Sequence, residues 1–431
     1  MLSFRALLAQ NRNYRYTWTG QVVSEIGDHF NNIAVFSLAL ANTRSGLVVS
    51  GVMLSRTIPA MFAGPIAGVL LDRLNRKHVM IASDLIRAVL ALGFILCLHR
   101  KETWLLYIFS GLLMFASPFF TAGRSAILPT ITTSEELHTA NSLTQTTQWT
   151  TITIGTFAAG ASVMQFGYGW AFLLNSLSFL FSAACISRLH VEGDAFQPRK
   201  RELTEAEVVR PWHEYVEGLR YMRSNPLILG IALIGVGWAT GGGAAQILFS
   251  LFGEIVFNRG PAGIGEVWGC AGMGLLVGGG FAYWLGEHID FRAYKRTISI
   301  CYVLHGATYI IFSQMRIFYL ALLFIALSRS AVAVSSVLNM SQLLRHVSNE
   351  YRGRVFATME SMVNSVMMVS MALAGIASQY YSPRIIAAIA GALSSTTAFF
   401  WAWANLTGRL PEPPVHGVER REVEVHGEPT I

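Results

Sequence analysis

The sequence predicts an all-α membrane protein with twelve transmembrane helices in two six-helix repeats. Composition, recurring apolar runs and similarity between the two halves of the chain lead to this prediction. Of the 431 residues, 53% are hydrophobic and only 13% are charged, which leaves too little polar surface to cover a soluble globule of this size. A bilayer is the solvent in which such a chain folds.

Apolar runs long enough to cross a bilayer recur along nearly the whole chain. A helix needs about 20 residues to cross ~30 Å of hydrocarbon. The fifth run is rich in Ser, Thr and Gln, so we expect it to face protein or water rather than lipid. The twelve predicted spans are 14–41, 46–70, 79–98, 104–120, 138–166, 170–186, 227–257, 265–284, 298–312, 317–340, 355–378 and 385–406.

Several other classes are not expected. The four cysteines fall inside or at the ends of spans without CxxC spacing, so neither a metal site nor a disulfide framework is suggested. No cofactor motif, phosphate-binding loop or nucleophile–base pair indicates an enzyme. The N-terminus shows no short apolar region with a cleavage site, so we expect no cleaved signal peptide.

The basic residues are distributed unevenly between the two sides of the membrane. With both termini placed in the cytoplasm, the loops on that side hold 23 Lys and Arg residues and the outer loops hold 6. The positive-inside rule favours this orientation. The net charge of +7 therefore reflects topology, and no nucleic-acid partner is expected, because no aromatic-studded basic face accompanies the charge.

The chain divides into two six-helix halves, 1–189 and 226–407. Between them, 190–225 reads as a cytoplasmic linker with a short amphipathic helix at 212–222, and 408–431 reads as a disordered cytoplasmic tail. The segment Thr133–His138 before the fifth span resembles Val347–Arg352 before the eleventh, at an offset of 214 residues. Paired halves with weak internal similarity are typical of rocker-type transporters.

The loop between the second and third spans carries the most specific motif. It places Gly68 in the last turn of one helix, Asp72 at its end, and Arg73, Arg76 and Lys77 in the turn. A small residue lets helices approach closely, and the acid can cap a facing helix or pair with bases. We interpret the loop as a breakable latch at a cytoplasmic gate. The usual excess of basic residues in cytoplasmic loops would explain Arg73, Arg76 and Lys77 but not Gly68 and Asp72.

This loop resembles the G-x-x-x-D-R-x-G-R-K signature of the major facilitator superfamily, with Asn75 where a glycine is usual. Further stretches resemble the branch of enterobactin exporters and macrolide efflux proteins, over residues 10 to 407: Ser24–Asp28, Ser83–Arg87, Arg124–Pro129, Ala140–Leu143 and Tyr351–Val355. The resemblance implies a drug:proton antiporter. One departure weakens it, because Gly155 is followed by Thr156 where antiporters commonly have a proline.

Ionisable residues inside the spans are functional candidates, because an unpaired charge at mid-bilayer costs several kcal/mol. Glu25 and Asp28 share one helix face, and counting ~1.5 Å per residue from each helix end puts Asp28 and Arg56 at a similar depth. Either Glu25 and Asp28 form a protonatable pair that couples proton entry to cargo exit, with Arg56 keeping one carboxylate ionised, or Asp28 and Arg56 form a permanent structural pair.

Two groups of residues complete the candidate site. We assign Asp84, Arg87, Arg124, Arg352, Arg354 and Glu360 to the cytoplasmic gate, with plain structural pairing as the alternative for Asp84 and Arg87. Arg329 stands alone in its span and either lines the cavity and attracts anionic cargo or pairs with an acid such as Glu360. The remaining cavity candidates are Asn31, Gln145, Gln148, Trp149 and Asn364. The alternative for each of them is a hydrogen bond that joins two helices.

We therefore expect a monomeric secondary transporter in the bacterial inner membrane that exports a small amphipathic compound, a drug or a siderophore, in exchange for protons. Its partners would be the small-molecule substrate, H+ and the lipid bilayer. Uptake or flipping of a lipid-like or nutrient solute is a second possibility. A membrane scaffold without transport activity would need no carboxylates at mid-membrane.

Overall fold

The computed structural model describes residues 3–100, 102–191, 195–197 and 211–413, and these residues are overwhelmingly α-helical. This confirms the predicted fold class. The charged part of the expected linker, 192–194 and 198–210, and the expected tail beyond 413 lie outside the described residues.

The described residues of the first half form two short helices and six long ones. The side chains of Asn11 and Asn75 cap the helices that follow them by accepting hydrogen bonds from backbone N–H groups. Thr133 forms a capping box with Glu136. The helices are α1 Phe4–Gln10, α2 Arg12–Thr43, α3 Gly46–Leu71, α4 Arg76–Gly93, α5 Ile95–Arg100, α6 Thr103–Ile131, α7 Ser134–Phe166 and α8 Tyr168–Ser187.

The second half repeats this pattern after an amphipathic helix at the position predicted for one. The helices are α9 Pro211–Ser224, α10 Pro226–Leu251 with a π-helical turn Phe252–Val256, α11 Gly260–Gly286, α12 Phe291–Gln314, α13 Phe318–His346, α14 Asn349–Ala377 and α15 Pro383–Leu406.

The two halves are repeats of nearly constant spacing. The six long helices of the first half begin at residues 12, 46, 76, 103, 134 and 168, and those of the second at 226, 260, 291, 318, 349 and 383. Each therefore begins 214 or 215 residues after its counterpart. Within the described residues, nine helices are long and apolar enough to cross a membrane. The other three long ones, α2, α7 and α12, carry more polar residues along their length.

Several helices extend beyond the apolar runs from which they were predicted. Helix α6 continues to Ile131, so Arg124 lies within it rather than in a following loop. Helix α14 begins at Asn349, so Arg352 and Arg354 lie in its first turns and Glu360 lies about three turns in. Hydropathy marks only the part of a helix that meets lipid, whereas a capped helix continues past the membrane surface.

We call the end of the bundle that carries residues 68–77 the basic end, and the other end of the helices the opposite end. At the opposite end the halves touch: a Cβ at Gly46 would lie 2.8 Å from Ser378 Cβ, and the Ser50 hydroxyl donates to the Met371 carbonyl at 2.9 Å. At the basic end, Gly68 of α3 and Gly353 of α14 have no described atom within 4 Å of a built Cβ.

The polar helix α7 packs along α11, as expected for a helix that should not face lipid. Glycines make the contact possible, because a Cβ at Gly265 would stand 2.4 Å from the Thr156 carbonyl oxygen and one at Gly160 would stand 2.8 Å from the Pro261 carbonyl oxygen. Further along, the ring of Trp149 lies over Gly279. The contact between the halves therefore runs from the opposite end to the middle of the bundle.

Candidate functional site

Glu25, on α2, is the centre of a network that joins three helices. Its Oε1 accepts from Gln21 Nε2 at 2.8 Å and lies 3.6 Å from Arg124 Nη1, and its Oε2 accepts from Thr151 Oγ1 at 2.9 Å. Arg124 comes from α6 and Thr151 from α7. Glu25 is therefore bound to neighbours and does not pair with Asp28, and Arg124 contacts this network rather than the basic loop.

Asp28 lies one turn further along α2 and forms no hydrogen bond or ion pair with any described residue. It is partly buried. Arg56 makes no ion pair either: its Nη2 lies 3.8 Å from Met114 Sδ, its guanidinium is 5.9 Å from the centre of the Phe36 ring, and its buried Nη1 has no described partner. In this conformation Asp28 and Arg56 are near one another without touching.

His29 faces the glycine at which the antiporter resemblance was weakest. A Cβ at Gly155 of α7 would stand 2.8 Å from His29 Cδ2. Gly155 therefore makes room for an imidazole ring between α2 and α7.

Asp84 and Arg87 form a buried ion pair on α4, with side chains 0% and 3% exposed. The Arg87 guanidinium lies 4.7 Å from the centre of the Phe120 ring and 4.4 Å from that of Phe179. Rings from α6 and α8 thus enclose the pair inside the first half of the molecule. A buried pair of this kind is consistent with both interpretations of these two residues, a gate network and structural pairing.

The basic loop is fastened to its own half. The side chain of Asn75 accepts from the backbone N–H groups of Lys77 and His78 and so caps α4, which explains why an asparagine can stand at this position. Lys77 Nζ donates to the Leu189 carbonyl at 2.8 Å and Arg76 Nη1 donates to the Ala126 carbonyl at 3.3 Å.

The proposed latch is unengaged in this conformation. Asp72 and Arg73 are exposed, and neither side chain has a described hydrogen-bond or ion-pair partner. Among the described residues, nothing outside its own helix lies within 4 Å of a Cβ built at Gly68. The loop is thus bound only to its own half among the described residues, and Gly68 of α3 and Gly353 of α14 do not contact one another.

The corresponding gate residues of the second half are bound to nearby elements. Arg352 Nη2 donates to the Leu344 carbonyl at 3.0 Å, and Arg354 Nη1 lies 3.0 Å from Glu217 Oε2 on α9. Glu360 is exposed and has no described partner. It does not pair with Arg329.

The remaining cavity candidates divide by burial. Asn31 is completely buried, and neither atom of its amide has a described partner. Gln145 is exposed, while Gln148 and Asn364 are partly buried, and none of the three makes a described side-chain hydrogen bond. The polar atoms of these three amides are therefore available to a ligand, whereas Asn31 contacts only protein in this conformation.

Arg329, on α13, is buried inside the second half with 7% of its surface exposed. Its guanidinium lies 4.8 Å from the centre of the Phe249 ring, and its Nε has no described partner. No carboxylate among the described residues pairs with it. His305 and Tyr309 of α12 line the same cleft.

Sequence reasoning did not select several residues that take part in these contacts. Gln21 lies four residues before Glu25, a spacing that indicates contact on a helix, and Thr151 showed no signal beyond its polar surroundings. His29 and His305 could have been found by the rule already applied to carboxylates and arginines, since an ionisable residue inside a span is a candidate.

Twelve long helices in two repeats, joined at one end and apart at the other around intramembrane charges, define a membrane transporter. The chain belongs to the Major Facilitator Superfamily, whose sequence profile matches residues 17–369. It spans the membrane as a carrier of small molecules and is not an enzyme.

Known proteins similar to this chain are transporters. It is 24% identical to the putative bacilysin exporter BacE of Bacillus subtilis (strain 168), over 81% of this chain and 85% of that protein. It is 24% identical to macrolide efflux protein A of Streptococcus pyogenes, over 85% and 89%. The solved structure of the nucleoside transporter NupG has a similar fold, with a TM-score of 0.69 at 10% identity, over 91% of this chain and 98% of that chain.

Proposed function

We propose that the protein exports a small amphipathic compound, a drug or a siderophore, in exchange for protons. Export is supported by the two relatives described as an exporter and an efflux protein, each similar over more than four fifths of this chain. The observation that carries proton coupling is Asp28, a partly buried carboxylate without an ion pair.

The coupling step follows from the different surroundings of the two carboxylates on α2. Glu25 lies 3.6 Å from Arg124 and accepts hydrogen bonds from Gln21 and Thr151. Asp28 has no such partner, so it is the group that can take up a proton when the cavity opens to the acidic side and release it on the other. Protonated and ionised Asp28 would favour different orientations of the cavity.

The orientation in the membrane is part of this proposal. We place the basic end, both termini and the latch in the cytoplasm, because the basic residues concentrate at that end. We also propose that the protein is a monomer in the inner membrane of a bacterial cell. The halves touch at the opposite end, so the described conformation is the one that takes up cargo from the cytoplasm.

The experiment uses proteoliposomes with an imposed pH gradient and a panel of labelled antibiotics and siderophores. Wild type should concentrate at least one compound against its gradient while protons move in the other direction. Asp28→Asn should abolish concentrative transport, leaving exchange that no longer depends on pH. Glu287→Gln, at an exposed residue without a described side-chain contact, is the matched control and should behave as wild type.

Proton coupling through Asp28 is wrong if Asp28→Asn keeps the wild-type pH profile. The same assay separates export from uptake or flipping, the alternative that Thr156 in place of a proline leaves open, because the sign of accumulation reverses relative to the proton gradient. Comparing the drug susceptibility of cells with and without the gene would identify which compounds to test first.

A further inference from the structure

The second half of the molecule encloses a narrow polar cleft, which we call the arginine niche. We define it by Trp238 on α10, His305 and Tyr309 on α12, Arg329 on α13 and Ser394 on α15. Four helices of one half thus surround a single guanidinium. The niche has no counterpart in the first half, because the position in α6 that corresponds to Arg329 is occupied by Met114.

The positive charge in the niche is not neutralised by the protein. Arg329, His305 and Tyr309 are 7%, 4% and 2% exposed, and no described carboxylate pairs with Arg329. His305 is already satisfied by two hydroxyls: its Nδ1 is 2.7 Å from Ser328 Oγ and its Nε2 is 3.2 Å from Ser394 Oγ.

Three hydrogen-bond donors of the niche have no described partner. They are Arg329 Nε, the Tyr309 hydroxyl and Trp238 Nε1, all buried. Leaving a donor of this kind unpaired costs about 1–3 kcal/mol, and more when it is charged. No water molecule fits among these donors in the described conformation, and a buried guanidinium without a counter-ion costs several kcal/mol.

We propose that the arginine niche binds a small anionic group, a carboxylate or a halide ion, held by Arg329, Tyr309 and Trp238. In this conformation the niche has no room for a water molecule, so the side chains around Arg329 must move apart to admit the anion, which is either a carboxylate carried by the cargo or a free ion. Only this choice between the two sources rests on the proposed export function; binding itself does not.

Binding is tested on the purified full-length protein in an uncharged detergent. Acetate or chloride replaces the bulky sulfonate 2-(N-morpholino)ethanesulfonate at constant ionic strength, and the thermal unfolding midpoint is followed. Binding to the folded state raises the midpoint with anion concentration. The rise should disappear in Arg329→Gln and remain in Arg316→Gln, which changes an exposed arginine without a described side-chain contact.

Trp238→Phe is a second test of the niche, to be used if Arg329→Gln does not fold. It removes one donor while keeping the ring, so the anion concentration needed for half the effect should increase about tenfold, as expected for a lost hydrogen bond to a charged group. No rise in wild type with either anion, or an equal rise in wild type and Arg329→Gln, would overturn the proposal.

A transport measurement distinguishes the two sources of the anion once binding is established. If the cargo carries the carboxylate, added chloride should compete and lower uptake into proteoliposomes. If the ion is free, removing chloride and acetate should lower transport and restoring either one should recover it. Loss of transport by Asp28→Asn without loss of anion binding would show that the two proposals stand independently.

Discussion

At the scale of residues, charges inside this protein are handled in two ways. Asp84 is paired with Arg87 and Glu25 contacts Arg124, whereas Asp28, Arg56 and Arg329 have no opposite charge in direct contact. Paired charges of this kind hold helices in place, because separating them inside the membrane is costly. The unpaired ones are available to a proton or a ligand, and the two proposals rest on them.

The buried pair on α4 allows a stability prediction. Asp84→Asn leaves the Arg87 guanidinium buried between two rings without a counter-ion, and we expect a loss of about 3–5 kcal/mol in the free energy of unfolding, measured by denaturant unfolding in detergent. The double variant Asp84→Leu, Arg87→Met removes both charges and should recover most of the loss. If the double variant is as unstable as the single one, the ion pair is needed for more than neutralisation.

Sequence could predict some residue contacts and not others. Asp84 and Arg87 are three residues apart on one helix, so their pairing was foreseeable. Counting residues along α2 and α3 gave Asp28 and Arg56 similar depths, but depth does not fix the rotation of each helix about its axis, and the two do not form an ion pair. Glu25 contacts Arg124 across 99 positions of the chain, a distance over which sequence pattern carries no signal.

At the scale of elements, glycines determine how closely α7 and α11 pack. A side chain at Gly265 would collide with backbone, since its Cβ would stand 2.4 Å from the Thr156 carbonyl oxygen, whereas Gly280 on the same helix has nothing within 4 Å. Gly265 therefore belongs to the contact between the halves, and Gly280 does not.

This difference predicts a conformational effect. Gly265→Ala should push α7 and α11 apart and lengthen the distance between spin labels placed at Arg44→Cys and Tyr381→Cys at the opposite end, measured by pulsed electron paramagnetic resonance. Gly280→Ala, the matched substitution on the same helix, should leave the distance distribution as in the labelled parent. An unchanged distribution in both variants would mean that the contact accommodates a methyl group.

Helices were predictable as elements, but their ends were not. Each of the twelve predicted spans coincides with a long helix, because a run of about 20 apolar residues has no other stable form in a bilayer. Helix α6 nevertheless runs 11 residues beyond its predicted end at residue 120, because the polar residues of its last turns, Arg124 among them, interrupt the apolar run from which the span was predicted. Arg124 was consequently assigned to a loop.

At the scale of the whole molecule, a disulfide should be able to lock the contact between the halves at the opposite end. Gly46→Cys with Ser378→Cys places two thiols where the Cβ positions are 2.8 Å apart, so the two helices must separate by about 1 Å to reach the Cβ–Cβ distance of a disulfide. Oxidation should fix the molecule with its basic end open and stop transport, and reduction should restore it. The native cysteines lie inside helices, and three of the four are buried.

The single variants Gly46→Cys and Ser378→Cys control for the effects of the substitutions and of the oxidant. Each should transport equally before and after oxidation. Full transport by the oxidised, crosslinked double variant would show that the opposite end does not need to open, which would contradict alternating access.

The constant spacing of the two repeats has a consequence for the direction of transport. The frame is symmetric, yet the position corresponding to Asp28 is Gly242 and the one corresponding to Arg329 is Met114. Rocking the halves exchanges which end is open but leaves Asp28 in the first half and Arg329 in the second. We therefore expect the carrier to be reversible, with its net flux set by the gradients imposed on it.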